Sequence, residues 1–372
     1  MKLICPKSEL QKSVGIVMKA VPGKTTMPIL ECILLDASTN DIKFTSNDME
    51  LGIETRVQGM VLEKGMIALD AKIFSEIVRK LPDSDVTIET DEKLNTTITC
   101  EKAKFNIPGR SGEDFSYLPL IEKTDCIRVS QFTLKEIIRQ TIFSIAVNEN
   151  NKLMTGELFQ IENNMLRVIS LDGHRISIRK IPLKLKEECK DRKVVVPGKT
   201  LNEISKILSG ELEDMVEIYL SANHILFEFD DTKVVSRLIE GEYFKIDQML
   251  SSDYETKVKI NKKEFLDCID RATLLVKEGD KKPIIIHIQD GQMELRIDSQ
   301  IGSMKEEIDI QKEGKDIMIG FNPKFLIDAL KVIDDEEVSI YLMNAKAPCF
   351  IRNDSQQYIY LILPVNFNAV SR

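Results

Sequence analysis

The order of elements implied by hydropathy repeats along this chain, and that repetition restricts the fold more than any single motif. Residues 71–110 (AKIFSEIVRKLPDSDVTIETDEKLNTTITCEKAKFNIPGR), 198–241 and 322–365 share one layout: a short amphipathic segment, an acidic turn, then alternating β pattern. Helical spacing is carried by Ile73 and Ile77, by Leu201, Ile204 and Leu208, and by Phe325, Ala329 and Val332. The acidic turns follow at 83–85, 211–214 and 334–337. Three earlier stretches, 8–24, 133–152 and 262–282, also read as amphipathic helices followed by strands, so the same order occurs six times. The pattern predicts an α+β chain of three tandem domains, 1–126, 127–252 and 253–372. Each has two helices packed on antiparallel sheets.

Length agrees, since 372 residues are too many for one typical core. No apolar run approaches the roughly 18 residues of a membrane span, and the amino-terminal MKLICPKSELQKS has no signal-peptide core. Seven scattered cysteines without a Cys-x-x-Cys pair suggest neither a zinc site nor a disulfide framework; a reducing cytoplasm is expected.

The net charge is −9, from 51 basic and 60 acidic residues, which argues against a surface that grips nucleic acid everywhere. The distribution matters more. Six helix windows (7–20, 72–80, 133–147, 199–209, 262–277 and 324–331) hold 16 Lys and Arg against 8 Asp and Glu, and the remainder holds 35 against 52. Lysine is a good helix former, so one basic helix would mean little. Six of six suggests that a helical surface faces something anionic. With Trp absent and Phe and Tyr mostly at strand positions, base stacking is disfavoured and sequence-blind contact with a duplex backbone is favoured.

Catalytic motifs fare poorly. VPGKT occurs at 21–25 and 196–200, but a phosphate loop needs a glycine where Met18 and Lys193 stand. Lys24 and Lys199 read better as basic residues of loops or helix starts. His174, His224 and His287 lack metal-ligand spacing, so no metal or cofactor is expected. ISLDGHRIS (169–177) is the one stretch resembling half a hydrolytic triad, with Asp172, His174 and a choice of Ser170 or Ser177. The corresponding TSNDMELGI (45–53) and DSQIGSMKEE (298–307) share the turn without the histidine. That predicts a structural hairpin in every domain, with something added in the middle one. From the residues alone, a hydrolase and a protein-binding repeat scaffold stay open beside a DNA-binding role.

MPIL (27–30), TSNDMELGI, SLDGHRIS, VVVPGKTLNEI (194–204), SRLIEGEYF (236–244), IGFNPKFLIDAL (319–330) and YLILPV (360–365) resemble the successive motifs of the bacterial DNA polymerase III beta subunits, the replicative sliding clamps. The resemblance runs from residue 1 to about 366. It implies the DNA clamp fold, with two subunits joined head to tail in a closed ring whose helices line the hole. It implies a non-catalytic processivity factor that encircles double-stranded DNA and slides without sequence preference. Such a clamp tethers the replicative polymerase alpha subunit, the clamp loader, and mismatch-repair and other proteins carrying a clamp-binding motif. A cytoplasmic, nucleoid-associated homodimer is expected.

Matching positions assign DNA contacts to Lys24, Lys199 and Asn148. They assign a peptide-binding pocket to Met154, Leu171, Gly173, His174, Arg175, Ile176, Phe244, Met249, Leu363, Pro364 and Val365. They assign the ring interface to Phe105, Leu274 and Leu275, although the two leucines read equally well as helix core. Gly173, His174 and Arg175 are expected at the pocket lip. The chain departs from the family in having Phe244 where proline is usual, and FNAVSR where a Met-Pro-x-Arg ending is common.

Overall fold

The structure is a computed structural model and describes residues 1–124, 126–147, 150–183, 191–250, 253–276 and 282–367. Six times among the described residues a short strand leads into a helix and antiparallel strands follow, four of them in the first and fifth repeats and three in the others. The leading strands are Lys2–Pro6, Gly65–Asp70, Ile127–Ser130, Arg192–Pro197, Thr256–Asn261 and Ile317–Phe321. They introduce α1 (Lys7–Val17), α2 (Ala71–Lys80), α3 (Gln131–Thr141), α4 (Gly198–Ile207), α5 (Lys262–Thr273) and α6 (Pro323–Val332). The leading strand was not visible as part of the repeated pattern. Its function at the junction is partly capping: Asp70 accepts from the Ile73 N–H, Ser130 from Thr133, Asn261 from Glu264 and Asn322 from Lys324, at 2.8–3.1 Å.

Two sequence expectations need correction at this level. On α2 and α6 one position of each expected face is displaced by one residue: Phe74 is fully buried and Leu326 nearly so, whereas Ile73 is 49% exposed and Phe325 only half-buried; Ile77, Leu201, Ile204, Leu208 and Ala329 are buried as expected. Fully burying a large apolar side chain is favourable by about 1.5–3 kcal/mol, so the bulkier Phe74 takes the inner position on α2. The window 133–147 is also too long, because α3 ends at Thr141 and a single 3-10 turn, Ile142–Ser144, follows. There the Thr141 hydroxyl donates back to the Ile137 carbonyl.

By packing, the chain forms two compact units. Among the described residues, the first comprises 1–124, 126–135 and 199–238; the second comprises 136–147, 150–183, 191–198, 239–250, 253–276 and 282–367. In the first, strand Leu51–Val57 pairs antiparallel with Thr232–Arg237 within one sheet of 13 strands. In the second, strand Arg175–Pro182 pairs antiparallel with Tyr358–Ile362 within a nine-stranded sheet, and a four-stranded sheet lies beside it in sequence. The middle repeat therefore contributes strands to both units. Backbone pairing at its edge strands is the physical reason: an edge strand of one repeat completes its hydrogen bonds on the edge of another.

Candidate functional site

The turn Asp172–Arg175 joins strand Met165–Leu171 to strand Arg175–Pro182. Asp172 Oδ1 accepts from the backbone N–H of His174 (3.0 Å) and of Arg175 (3.1 Å), and Gly173 takes the left-handed conformation, φ 81°. Glycine adopts that conformation without steric penalty. The turn Asp48–Leu51 repeats this geometry: Asp48 Oδ1 accepts from Glu50 and Leu51, and Met49 sits at φ 74°. Even the receiving strand is equivalent. The Glu50 carbonyl accepts the Arg237 N–H at 2.8 Å, and the His174 carbonyl accepts the Leu363 N–H at 2.9 Å.

A triad is excluded at this turn. The second Asp172 oxygen accepts from Arg175 Nε at 3.0 Å, and the His174 ring stacks on Phe325 of α6, with centroids 5.9 Å apart. Ser170 is buried and donates to the Thr141 carbonyl, while Ser177 is buried against Ser144. No nucleophile faces a base here.

The two faces of the hairpin have different surroundings. Ile169, Leu171, Ile176 and Ile178 point into an apolar cluster with Leu158, Tyr341, Phe350, Ile359 and Leu361. Met154, Phe244 and Leu363 pack on this cluster and stay half-buried, as do Pro364 and Val365 in the following segment. Met249 is 45% exposed. Phe244, in the place of the expected proline, stands edge-on to Tyr243 at 5.5 Å. The Val365 N–H donates to the Gly320 carbonyl at 2.8 Å, which ties the end of the segment to strand Ile317–Phe321. The result is an apolar cluster with half-buried residues along its edge.

The side chains of His174 and Arg175 both make contacts with α6. Arg175, only 7% exposed, donates from Nη1 to Asp328 of α6 (2.6 Å) and from Nη2 to the Phe143 carbonyl (2.6 Å). Its guanidinium lies 4.6 Å from the Phe325 ring centre. Arg175 meets the apolar cluster with its backbone, and the exposed His174 ring lies against Phe325. Strand alternation explains this, since Ile176 faces the cluster and its neighbour Arg175 must face away. Phe325 was legible as an apolar helical position, but nothing local marked Asp328 as its companion.

Glu157 on strand Gly156–Glu162 is fully buried, and neither carboxylate oxygen has a hydrogen-bond partner among the described residues. Thr141 is near, but its hydroxyl proton is given to Ile137. Burial pushes the Glu157 carboxyl up to about 8.

The remaining assigned residues are dispersed. Lys24 is exposed in an irregular stretch before the 3-10 turn Pro28–Glu31. Lys199 is exposed in the first turn of α4 and pairs with Asp48. The two VPGKT stretches thus differ: the first contains a bend, the second a strand running directly into a helix without a glycine loop. Gly198 is explained by packing, since a Cβ would come within 2.3 Å of Ile145. Asn148 lies outside the described residues. Phe105, on strand Ala103–Ser111, is 39% exposed. Leu274, just past α5, is 77% exposed, whereas Leu275 packs on the core of its unit. The core alternative therefore suits Leu275 and not Leu274. Lys12, Lys72, Lys80, Lys324 and Lys331 on the helices are exposed and make no ion pair among the described residues.

Three family models match in succession: the N-terminal domain of the DNA polymerase III beta subunit over 1–119, its central domain over 128–245 and its C-terminal domain over 247–366. The Bacillus subtilis beta sliding clamp is 36% identical over 377 residues, covering 98% of this chain and 99% of that protein. The Staphylococcus epidermidis beta sliding clamp is 34% identical over 359 residues, covering 94% of each. Among solved structures, a putative DNA polymerase III beta subunit from Eubacterium rectale is 71% identical with a TM-score of 0.96, covering 99% of this chain and all of that one. The Bacillus subtilis polymerase sliding clamp aligns with a TM-score of 0.95 at 35% identity, with the same coverage.

Proposed function

This chain belongs to the DNA polymerase III beta subunit family, the bacterial sliding clamps, and from that premise we propose how its residues divide the work. It is a non-catalytic processivity subunit of three tandem clamp domains, working with DNA and the replicative polymerase. The sixfold strand–helix–sheet repeat, with lysines exposed on its helices, is the observation that carries the reading. The three repeats serve as domains 1–126, 127–252 and 253–372.

Two copies close head to tail into a ring through Phe105 and the Leu274–Leu275 end of α5, an exposed apolar position being what a partner would cover. Duplex DNA passes through the ring. Lys24 and Lys199 touch its backbone, and Asn148 does so by resemblance alone. Because the ring is topologically linked to DNA, a net acidic protein needs only weak, sliding contacts, and tethering raises the polymerase's effective concentration. The half-buried edge of the apolar cluster forms a groove that receives short linear peptides of the polymerase alpha subunit, the clamp loader and mismatch-repair proteins. Half-buried Met154, Phe244 and Leu363 offer apolar anchorage within a polar rim. The setting is the cytoplasm, at the nucleoid.

The test is topological. After loading, the protein should stay on nicked circular DNA through a high-salt wash and run off the same DNA once linearised. Equal retention on both forms would sink the reading.

A further inference from the structure

We propose that Asp328 of α6 is a positioning residue for the groove, fixing Arg175 and through it the turn that carries the groove wall. The inference rests on the groove being the peptide site. Phe325 and Asp328 are three residues apart and share one face of α6. That face receives two successive turn residues: His174 stacks on Phe325, and Arg175 lies over the same ring while donating to Asp328. On the other side, the His174 carbonyl holds the Leu363 N–H, and Ile176 enters the apolar cluster. A shift of the Arg175 side chain is thus felt one residue away in each direction, at both attachments to the groove.

The turn Asp48–Leu51 serves as an internal control. It forms the same aspartate-capped turn and catches the equivalent strand, yet the place of Arg175 is taken by Leu51, a buried apolar residue. The turn itself therefore needs no arginine–carboxylate pair. There the pair between turn and helix has the opposite sense, from Asp48 to Lys199 of α4. A buried guanidinium shared between Asp172, Asp328 and a backbone carbonyl costs desolvation, and fixing a position is the return for that cost.

The experiment uses the full-length protein and a fluorescein-labelled synthetic peptide of the cognate polymerase alpha subunit, with anisotropy read far below the unfolding temperature. Asp328→Asn removes the charge at constant shape and should weaken Kd about tenfold, or 1.4 kcal/mol. Asp328→Glu, which keeps the charge, should recover affinity to within about threefold of the parent. Leu171→Ala and Met249→Ala test the groove itself. If these weaken binding while Asp328→Asn binds like the parent, the positioning role is overturned and the groove stands. If Asp328→Asn and Asp328→Glu weaken binding equally, with equal losses in Tm, Asp328 is merely structural and the inference fails. If the groove variants bind like the parent, the groove reading and the inference fall together.

Discussion

Glu157 is the residue through which pH acts most directly on this fold. Its folded carboxyl titrates near 8, against about 4.5 when ordinary, so the folded chain holds a proton that the unfolded chain releases earlier. The stability it contributes is fully present below about 4.5 and is lost as pH rises toward about 8, after which the loss is constant. Glu157→Gln removes the ionisation. Denaturant unfolding should find the variant more stable than the parent at pH 8 by roughly 3–5 kcal/mol, a gap that closes toward pH 4.5. At the same scale, Lys199 is held by Asp48, whose other oxygen caps its own turn. Asp48→Asn preserves the cap and frees the lysine. If Lys199 touches phosphate, the salt dependence of DNA affinity should steepen by up to about 0.9 in log–log slope, and Lys199→Ala should flatten it.

At the scale of elements, the end of α5 separates two kinds of leucine. Leu274 faces solvent, so Leu274→Asp should leave the unfolding temperature unchanged while weakening self-association by roughly a hundredfold, through a charge placed at an apolar contact. Leu275 packs on its own core, and Leu275→Ala should cost about 1–2 kcal/mol of stability in denaturant unfolding. Sedimentation equilibrium distinguishes the two: a dimer of twice 42.4 kDa gives way to monomer for Leu274→Asp at a protein concentration where Leu275→Ala stays paired. The helices themselves were legible from apolar spacing, and so was the inner face of α4, but on α2 and α6 one inner position was off by a residue. Spacing marks several candidate faces, and Phe74 or Leu326 takes the inner position only when a sheet is present to receive it.

For the whole molecule, charge is divided between surfaces that a net value of −9 conceals. Several helical lysines are exposed without an ion pair among the described residues, whereas strand residues such as Lys43 and Lys233 share Glu54, and Lys305 lies between Glu294 and Glu307. Neutralising Lys12, Lys72, Lys80 and Lys331 together should speed loss of the loaded protein from circular DNA only slightly, since linkage holds it, but should reduce initial association at low salt about tenfold or more. A comparable loss of retention would mean that contacts, not closure, keep the protein on DNA.

The sequence by itself determined what is local. Periods of 3.6 and 2 specify helices and strands, Asp-Gly at 172–173 specifies a left-handed turn, and their recurrence specifies six similar halves. The motifs of the resemblance are local too, and with them came the family. Only the tertiary structure decided which distant groups meet. Asp328 lies 153 residues from Arg175, and strand Leu51–Val57 finds its partner in Thr232–Arg237. It also set His174 and Arg175 against Phe325 and enclosed Glu157 without a hydrogen-bond partner among the described residues. Local pattern says which face of an element seeks cover. Burial, desolvation and the pairing of buried charge depend on which other face arrives, and that is settled only when the chain closes on itself.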